Sequence, residues 1–302
     1  MSDFSEADRS PSGDQVPEDG GRSSSSSRLY GDAHQPRHRV SSGTPFLILL
    51  ALFGGTYIVL VVGLIVADFA YLFVEGTAFG EFSRVLQDEN VHFSILLSLL
   101  SCTVTTVLAL WVSVPIGYLM TRYRFRGQAL VETALDIPIV LPPLVVGISL
   151  IILFKWLPKS LNDWVMFKIP AVILAQFVVA SAFAVRTLRV TFERIPRRFE
   201  DVALTLGCSQ SQAFWRVVLP QAREGMVAAA TLAWARSLGE FGPIITFVGS
   251  TPKRTEVLPT TVFLEQQAGN NSGALAVSII MIVIAAFVLL VARRLGMRRL
   301  MA

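Results

Sequence analysis

The sequence predicts an all-α integral membrane protein with six transmembrane helices, and three observations carry that prediction. Of its 302 residues 53% are hydrophobic and 16% charged, and the mean hydropathy is +0.58, so the average residue favours lipid over water. Six apolar runs follow one another, each near or above the roughly 20 residues that cross about 30 Å of hydrocarbon. Lys and Arg gather in alternate connections between those runs, the pattern that membrane topology imposes. The chain carries a net charge of +4 and a pI near 9.3. Because its basic residues form no periodic face, topology explains them better than a nucleic-acid partner does.

Residues 1–44 are polar, with a serine run from Ser23 to Ser27 and almost nothing that could form a core; they read as a disordered tail. The first apolar run begins only at Phe46, too late for a secretory signal, so it reads as an uncleaved span. The six runs are approximately Phe46 to Ala67, Val91 to Met120, Thr133 to Phe154, Ile169 to Thr187, Met226 to Val248 and Ala274 to Ala292. Residues 45–302 therefore form one six-span domain. Between the first two runs, the acidic stretch Glu75 to Asn90 is expected to hold a short surface helix.

The third run contains Pro138, Pro142 and Pro143, with Gly147 following. Each proline removes a backbone donor, and in lipid such a break is tolerated only where protein or a water-filled path covers the freed carbonyls. It reads as a packing kink or as the lining of a path. Asp136, near one end of this run, is expected to cap a helix or reach the interface.

Between the fourth and fifth runs lies EDVALTLGCSQSQAFWRVVLP, Glu200 to Pro220. Pro196 can open a first helix, with Val202, Ala203 and Leu206 on one face, and Gly207 stops it. Ser209 with Gln212 forms a capping box for a second helix carrying Phe214, Trp215 and Val218, expected to end before Pro220. The product is an amphipathic helix–Gly–helix elbow at a membrane surface.

In the fifth run, WARSLGEFGPIITFVGS, Arg236 and Glu240 are four apart near mid-span. Ionisable groups there are costly and mark functional candidates. They are expected on one helical face as a pair, although Gly239, Gly242 and Pro243 interrupt a regular helix. The loop from Gly249 to Gly273 is rich in Thr, Asn and Gly and carries Lys253 and Arg254; it reads as a solvated turn or as a landing site for an acidic partner.

Orientation follows from the basic residues. The tail has five, Thr121 to Glu132 three, the elbow connection six and the C-terminal end four; these eighteen stand against six in the alternate connections. Both termini and the elbow are therefore expected in the cytoplasm. Cys102 and Cys208 suggest no disulfide framework, and the three histidines show no metal spacing. Neither a nucleophile elbow nor a paired-carboxylate face supports a membrane-embedded hydrolase or transferase. No Gly-rich phosphate loop is present, so the chain is expected not to hydrolyse ATP itself.

The elbow resembles the coupling segment of the membrane subunits of ABC-type importers: Asp201, Val202 and Ala203 stand for Glu-Ala-Ala, Gly207 is the glycine, and Leu219-Pro220 is the ending. Ala235 to Gly242, Ala-Arg-Ser-Leu-Gly-Glu-Phe-Gly, is similar to the fifth-span signature of molybdate and sulfate importer permeases. Thr255 to Pro259 and the proline-rich third run extend the likeness, with Pro243 and the Thr251 to Arg254 turn as departures. The resemblance implies an importer type I permease fold with a cytoplasmic coupling helix inside a coupling loop over 188–224, in a bacterial inner membrane. It implies partners: a second copy, cytoplasmic ATP-binding subunits that hold ATP and Mg while this chain binds no cofactor or metal, and an extracytoplasmic substrate-binding protein. Glu200, Asp201, Ala203, Gly207, Leu219 and Pro220 would couple to the ATPase. Pro138, Pro142, Pro143, Arg236, Gly239, Glu240 and Gly242 would line the path or gate. Molybdate is the first expected substrate, then sulfate or tungstate, then iron, phosphate or a polyamine.

Overall fold

A computed structural model describes residues 44–74 and 78–297. The tail expected over 1–44 lies, but for its last residue, outside them. The chain divides into two compact units at Val59–Leu60. The described part of the first unit is the opening half of α1 (Thr44–Val74), apolar and exposed along its length, as a lipid-facing helix must be. Everything below concerns the second unit.

The surface helix expected before the second span is present as α2 (Ala78–Gln87), which turns Phe82 and Val85 into a core cluster. Asp88 caps α3 (Glu89–Arg122) by accepting from the Asn90 amide. After a short connection come α4 (Gln128–Val140), α5 (Pro143–Lys155) and α6 (Lys159–Val165), then α7 (Ile169–Arg194). The elbow holds α8 (Arg198–Thr205), α9 (Gln210–Ala213), a π-helical turn over Phe214–Val218 and α10 (Leu219–Gln221). It leads into α11 (Arg223–Leu238), a second π turn at Ile244–Val248, α12 (Leu258–Gln267) and α13 (Asn271–Met297).

Helices α3, α7 and α11 form the centre. Ala109, Ala180, Ala184 and Ala233 meet there, all fully buried. Lipid provides no hydrophobic drive between helices, so small residues that let backbones approach closely carry the packing. A Cβ on Gly117 would lie 3.2 Å from the Arg189 amide nitrogen, and one on Gly225 would strike the Thr191 side chain. Polar groups add specificity along α3. Thr105 donates to Gln176 Oε1 at 3.1 Å, Gln176 Nε2 reaches the Ser237 carbonyl at 3.3 Å, and Ser98 Oγ accepts from the Leu258 amide at 2.9 Å.

Two of the six apolar runs are not continuous helices. The third divides at Leu141-Pro142 into α4 and α5, which diverge by 116°. Pro142 and Pro143 make that break, while Pro138 is accommodated inside α4. The fifth divides at Gly239 to Pro243 between α11 and the second π turn. Among the described residues four helices are individually long and apolar enough to cross a membrane, or five if the bent pair is one span. Asp136 caps nothing: it is exposed in the middle of α4.

The two breaks pack on each other. A Cβ on Gly242 would lie 2.6 Å from Pro143 Cβ, and one on Gly147 would land on Thr246 Oγ1 and 3.0 Å from Pro243 Cα. Gly147→Ala is therefore expected to overpack this contact at a cost of about 1–3 kcal/mol, read as a lower melting temperature in detergent, with Thr246→Gly restoring part of the loss. An unchanged melting temperature would contradict the close approach.

Candidate functional site

The elbow is built from its caps upward. Gly207 adopts φ +87°, and Cys208 and Gly207 donate to the Ala203 and Leu204 carbonyls, both at 3.0 Å. This is a Schellman ending, which favours glycine because a Cβ is strained at that φ. The expected capping box is present: Gln212 N donates to Ser209 Oγ at 3.3 Å, and Ser209 N to Gln212 Oε1 at 3.0 Å.

Two expectations for the elbow need correction. Val202, Ala203 and Leu206 do not share a face: Ala203 is buried, whereas Val202 and Leu206 are 57% and 80% exposed. Nor does the second helix end before Pro220. Leu219 N bonds back five residues to Phe214, and helical backbone runs on through Pro220 to Ala222. The extra residue per turn makes room for the proline ring, which in an α register presses on the carbonyl four residues earlier. The elbow therefore leads into α11 through the single turn residue Ala222.

An ion pair missed in the sequence fastens the elbow to α3. Glu200 accepts from Arg122 Nε at 2.5 Å and from Tyr118 Oη at 2.9 Å, and both charged side chains are largely buried. Arg197 returns across the joint, donating to the Thr121 and Arg122 carbonyls at 2.8 and 2.9 Å, where the end of α3 leaves acceptors free. Beneath them Tyr118 lies edge-on to Phe192 and Phe214. Glu200 thus faces inward. The outer surface presents the exposed apolar side chains Val202, Leu206 and Trp215 beside the Asp201 carboxylate, a grouping of the kind that marks a docking surface.

At the paired breaks, Arg236 and Glu240 do not lie on one helical face, because α11 ends at Leu238 and Glu240 sits in the break. They pair nonetheless, Arg236 Nη1 lying 2.5 Å from Glu240 Oε2. Glu240 is 1% exposed and its Oε1 has no hydrogen-bond partner among the described residues. Arg236 stays partly exposed, its guanidinium 5.8 Å from the centre of the Phe183 ring. The break that follows Arg236 rests against the Pro142-Pro143 break, so residues about a hundred positions apart form one packed contact.

The protein family described as "binding-protein-dependent transport system inner membrane component" matches residues 113–300. The chain belongs to that family. It is 34% identical over 206 residues to the molybdenum transport system permease protein ModB of Escherichia coli (strain K12), spanning 66% of this chain and 90% of the relative. It is 30% identical over 208 residues to the sulfate transport system permease protein CysT of the same strain, spanning 67% and 75%. A crystal structure of a bacterial alginate ABC transporter, in complex with an alginate pentasaccharide-bound periplasmic protein, superposes with a TM-score of 0.67. It shares 17% identity and covers 85% of this chain and 96% of that one. The chain is thus an importer permease subunit, a transport component rather than an enzyme.

The permease's loop from Gly249 to Gly273 also departs from its expected form. Residues 258–267 are α12, and Thr255, Glu256, Val257 and Leu258 are buried. Lys253 pairs with Glu89 at 2.6 Å, so only Arg254 of the two bases lacks an ion-pair partner among the described residues. Of the functional residues missed in the sequence, Gln176 had a signal, as the one amide in its apolar run. Arg122 and Arg197 had none beyond their charge.

Two measurements test this geometry. Glu200→Gln strands the Arg122 charge and is expected to weaken the elbow's attachment by about 1–3 kcal/mol; elbow amides would then exchange hydrogen faster, and unchanged exchange would contradict the clamp. Burial pushes the Glu256 carboxyl above its ordinary range, more than the opposing hydrogen bond with Thr261 lowers it. A raised folded-state pKa gives stability that is complete below the unfolded pKa and lost as pH rises through the folded one. Thermal stability is expected to fall over that window in the wild type and to flatten in Glu256→Gln.

Proposed function

We propose that this permease works as a pair of identical subunits that carry a tetrahedral oxyanion, molybdate first, into the cytoplasm. Each subunit would cross the membrane six times, counting both broken runs as crossings, with both termini and the elbow inside. The observation that carries the substrate reading is the Arg236–Glu240 pair inside the Ala-Arg-Ser-Leu-Gly-Glu-Phe-Gly string, where a partly exposed guanidinium sits at a constriction between two helix breaks. A guanidinium fork matches oxyanion geometry, and relatives that carry molybdenum compounds and sulfate agree with this class. Sulfate is the second reading, favoured by the likeness to the sulfate permease, and tungstate shares the same chemistry.

The elbow supplies the coupling. Asp201, Val202, Leu206 and Trp215 would seat in cytoplasmic ATP-binding subunits, which hold ATP and Mg, while Glu200 and Arg122 lock the elbow to α3. Because helical backbone runs from the elbow through Pro220 into α11, a push on α8 and α9 would reach the break at Gly239. ATP binding would close the partner subunits, move the elbows and open the constriction to an extracytoplasmic binding protein; hydrolysis would reset it. The switch is a shift between two packings.

Uptake of radiolabelled molybdate and of sulfate in cells lacking this chain, each competed with the other and with tungstate, decides the substrate. Loss of molybdate uptake, competed by tungstate more strongly than by sulfate, is expected; normal uptake of both would refute the reading. Gly207→Asp meets no neighbour but strains the turn at φ +87°. It is expected to cut stimulation of ATP hydrolysis by loaded binding protein by about tenfold, roughly 1.4 kcal/mol of lost coupling, with the spans still folded. Full stimulation would remove the elbow from the coupling path.

A further inference from the structure

Beyond the Arg236 constriction, toward the end of α7 that carries the elbow, lies a second cationic position. The Phe183 ring that carries the Arg236 guanidinium is three residues from Arg186, about 4.5 Å along the helix axis and on the same side. Arg186 lines two cavities at once. One, of about 270 Å³, is walled by Glu132, Asp136 and Arg189; the other, of about 750 Å³, runs past Arg194 and Glu224. Each has room for several water molecules, hence for a small anion with part of its hydration shell.

The charges around these cavities are unequal. Arg189 is neutralised twice, by Glu132 at 3.0 Å and Glu193 at 3.1 Å. Arg186 is exposed and makes no ion pair or hydrogen bond among the described residues. It is therefore the first unneutralised cation along α7 past the constriction. Arg194, two turns on and on nearly the same face, borders the larger cavity.

A dianion held by one partly exposed guanidinium with no further partner would leave slowly, because leaving strands a charge beside a buried, poorly solvated break. Conduction needs sites that bind well enough to fill and weakly enough, or closely enough spaced, to empty. At Arg236 the buried Glu240 carboxylate can retake the guanidinium as the anion departs, and Arg186 offers that anion its next partner.

We propose that Arg186 is a second oxyanion station, receiving the tetrahedral dianion that Arg236 releases and passing it to the cytoplasmic cavities, where Asp136 and Glu132 keep its hold weak. This inference rests on the oxyanion-importer reading above. Phosphate oxygens of lipid headgroups offer the same chemistry as a free oxyanion, so the test separates the two.

The complete assembly, with its ATP-binding subunits and binding protein, is reconstituted in vesicles of zwitterionic lipid and in vesicles with added anionic lipid. Initial uptake of radiolabelled molybdate and sulfate is measured beside ATP hydrolysis for the wild type, Arg186→Gln and Arg186→Lys. Arg186→Gln is expected to slow uptake about fivefold in both vesicle types, while stimulated hydrolysis stays within about twofold and Arg186→Lys recovers part of the rate. Unchanged uptake would overturn the proposal. So would a loss confined to anionic vesicles, which assigns Arg186 to headgroups, or an equal fall of uptake and hydrolysis, which assigns it to structure. A wild-type assembly that takes up neither anion would instead overturn the oxyanion reading itself.

Discussion

Backbone polar groups have no water to bond in hydrocarbon, and the arrangement of this permease follows from that constraint. A proline or glycine break in a spanning run frees carbonyls and amides that only protein or a wet path can cover. The described residues include two such breaks, and they pack on each other. Pro143 lies against Gly242, Gly147 against Thr246, and both glycines are placed where any side chain would collide. The irregular backbone of both runs is thus concentrated at one packed contact.

The same constraint explains where the charges lie. Arg236 and Glu240 neutralise each other inside the break, and Phe183 shields the guanidinium. Arg122 and Glu200 do the same where α3 meets the elbow, with Tyr118 as a second donor. Each pair joins two segments: the first fastens the last turn of α11 to the break that follows it, and the second fastens α8, in the elbow, to α3. Between them α11 runs from the elbow to the break at Gly239, with fully buried alanines packing it close to α3 and α7.

Much of this was legible in the sequence because single residues set local geometry. Gly207 at positive φ, the Ser209–Gln212 box, the broken third run and the interrupted fifth run all follow from the backbone limits of glycine and proline. The corrections have one cause. Leu219-Pro220 reads as a stop because proline ends an α register, yet a π turn absorbs the ring and the helix continues. Thr255 to Leu258 read as solvated turn because they lie in a loop rich in Thr, Asn and Gly, yet the Ser98 hydroxyl satisfies the Leu258 amide and lets the segment be buried.

Composition, the apolar runs and the alternation of basic residues determined by themselves an all-helical membrane protein, and motif spacing determined its elbow and its family, because these depend on neighbours within about a helical turn. Tertiary structure alone decided that the Pro142-Pro143 break faces Gly242, that Glu200 turns inward to Arg122, and that Arg186 stays unneutralised beside a doubly paired Arg189. Apart from the local Arg189–Glu193 pair, those pairings join residues dozens to a hundred positions apart. Their energies come from close packing and charge neutralisation between helices, which no local pattern encodes.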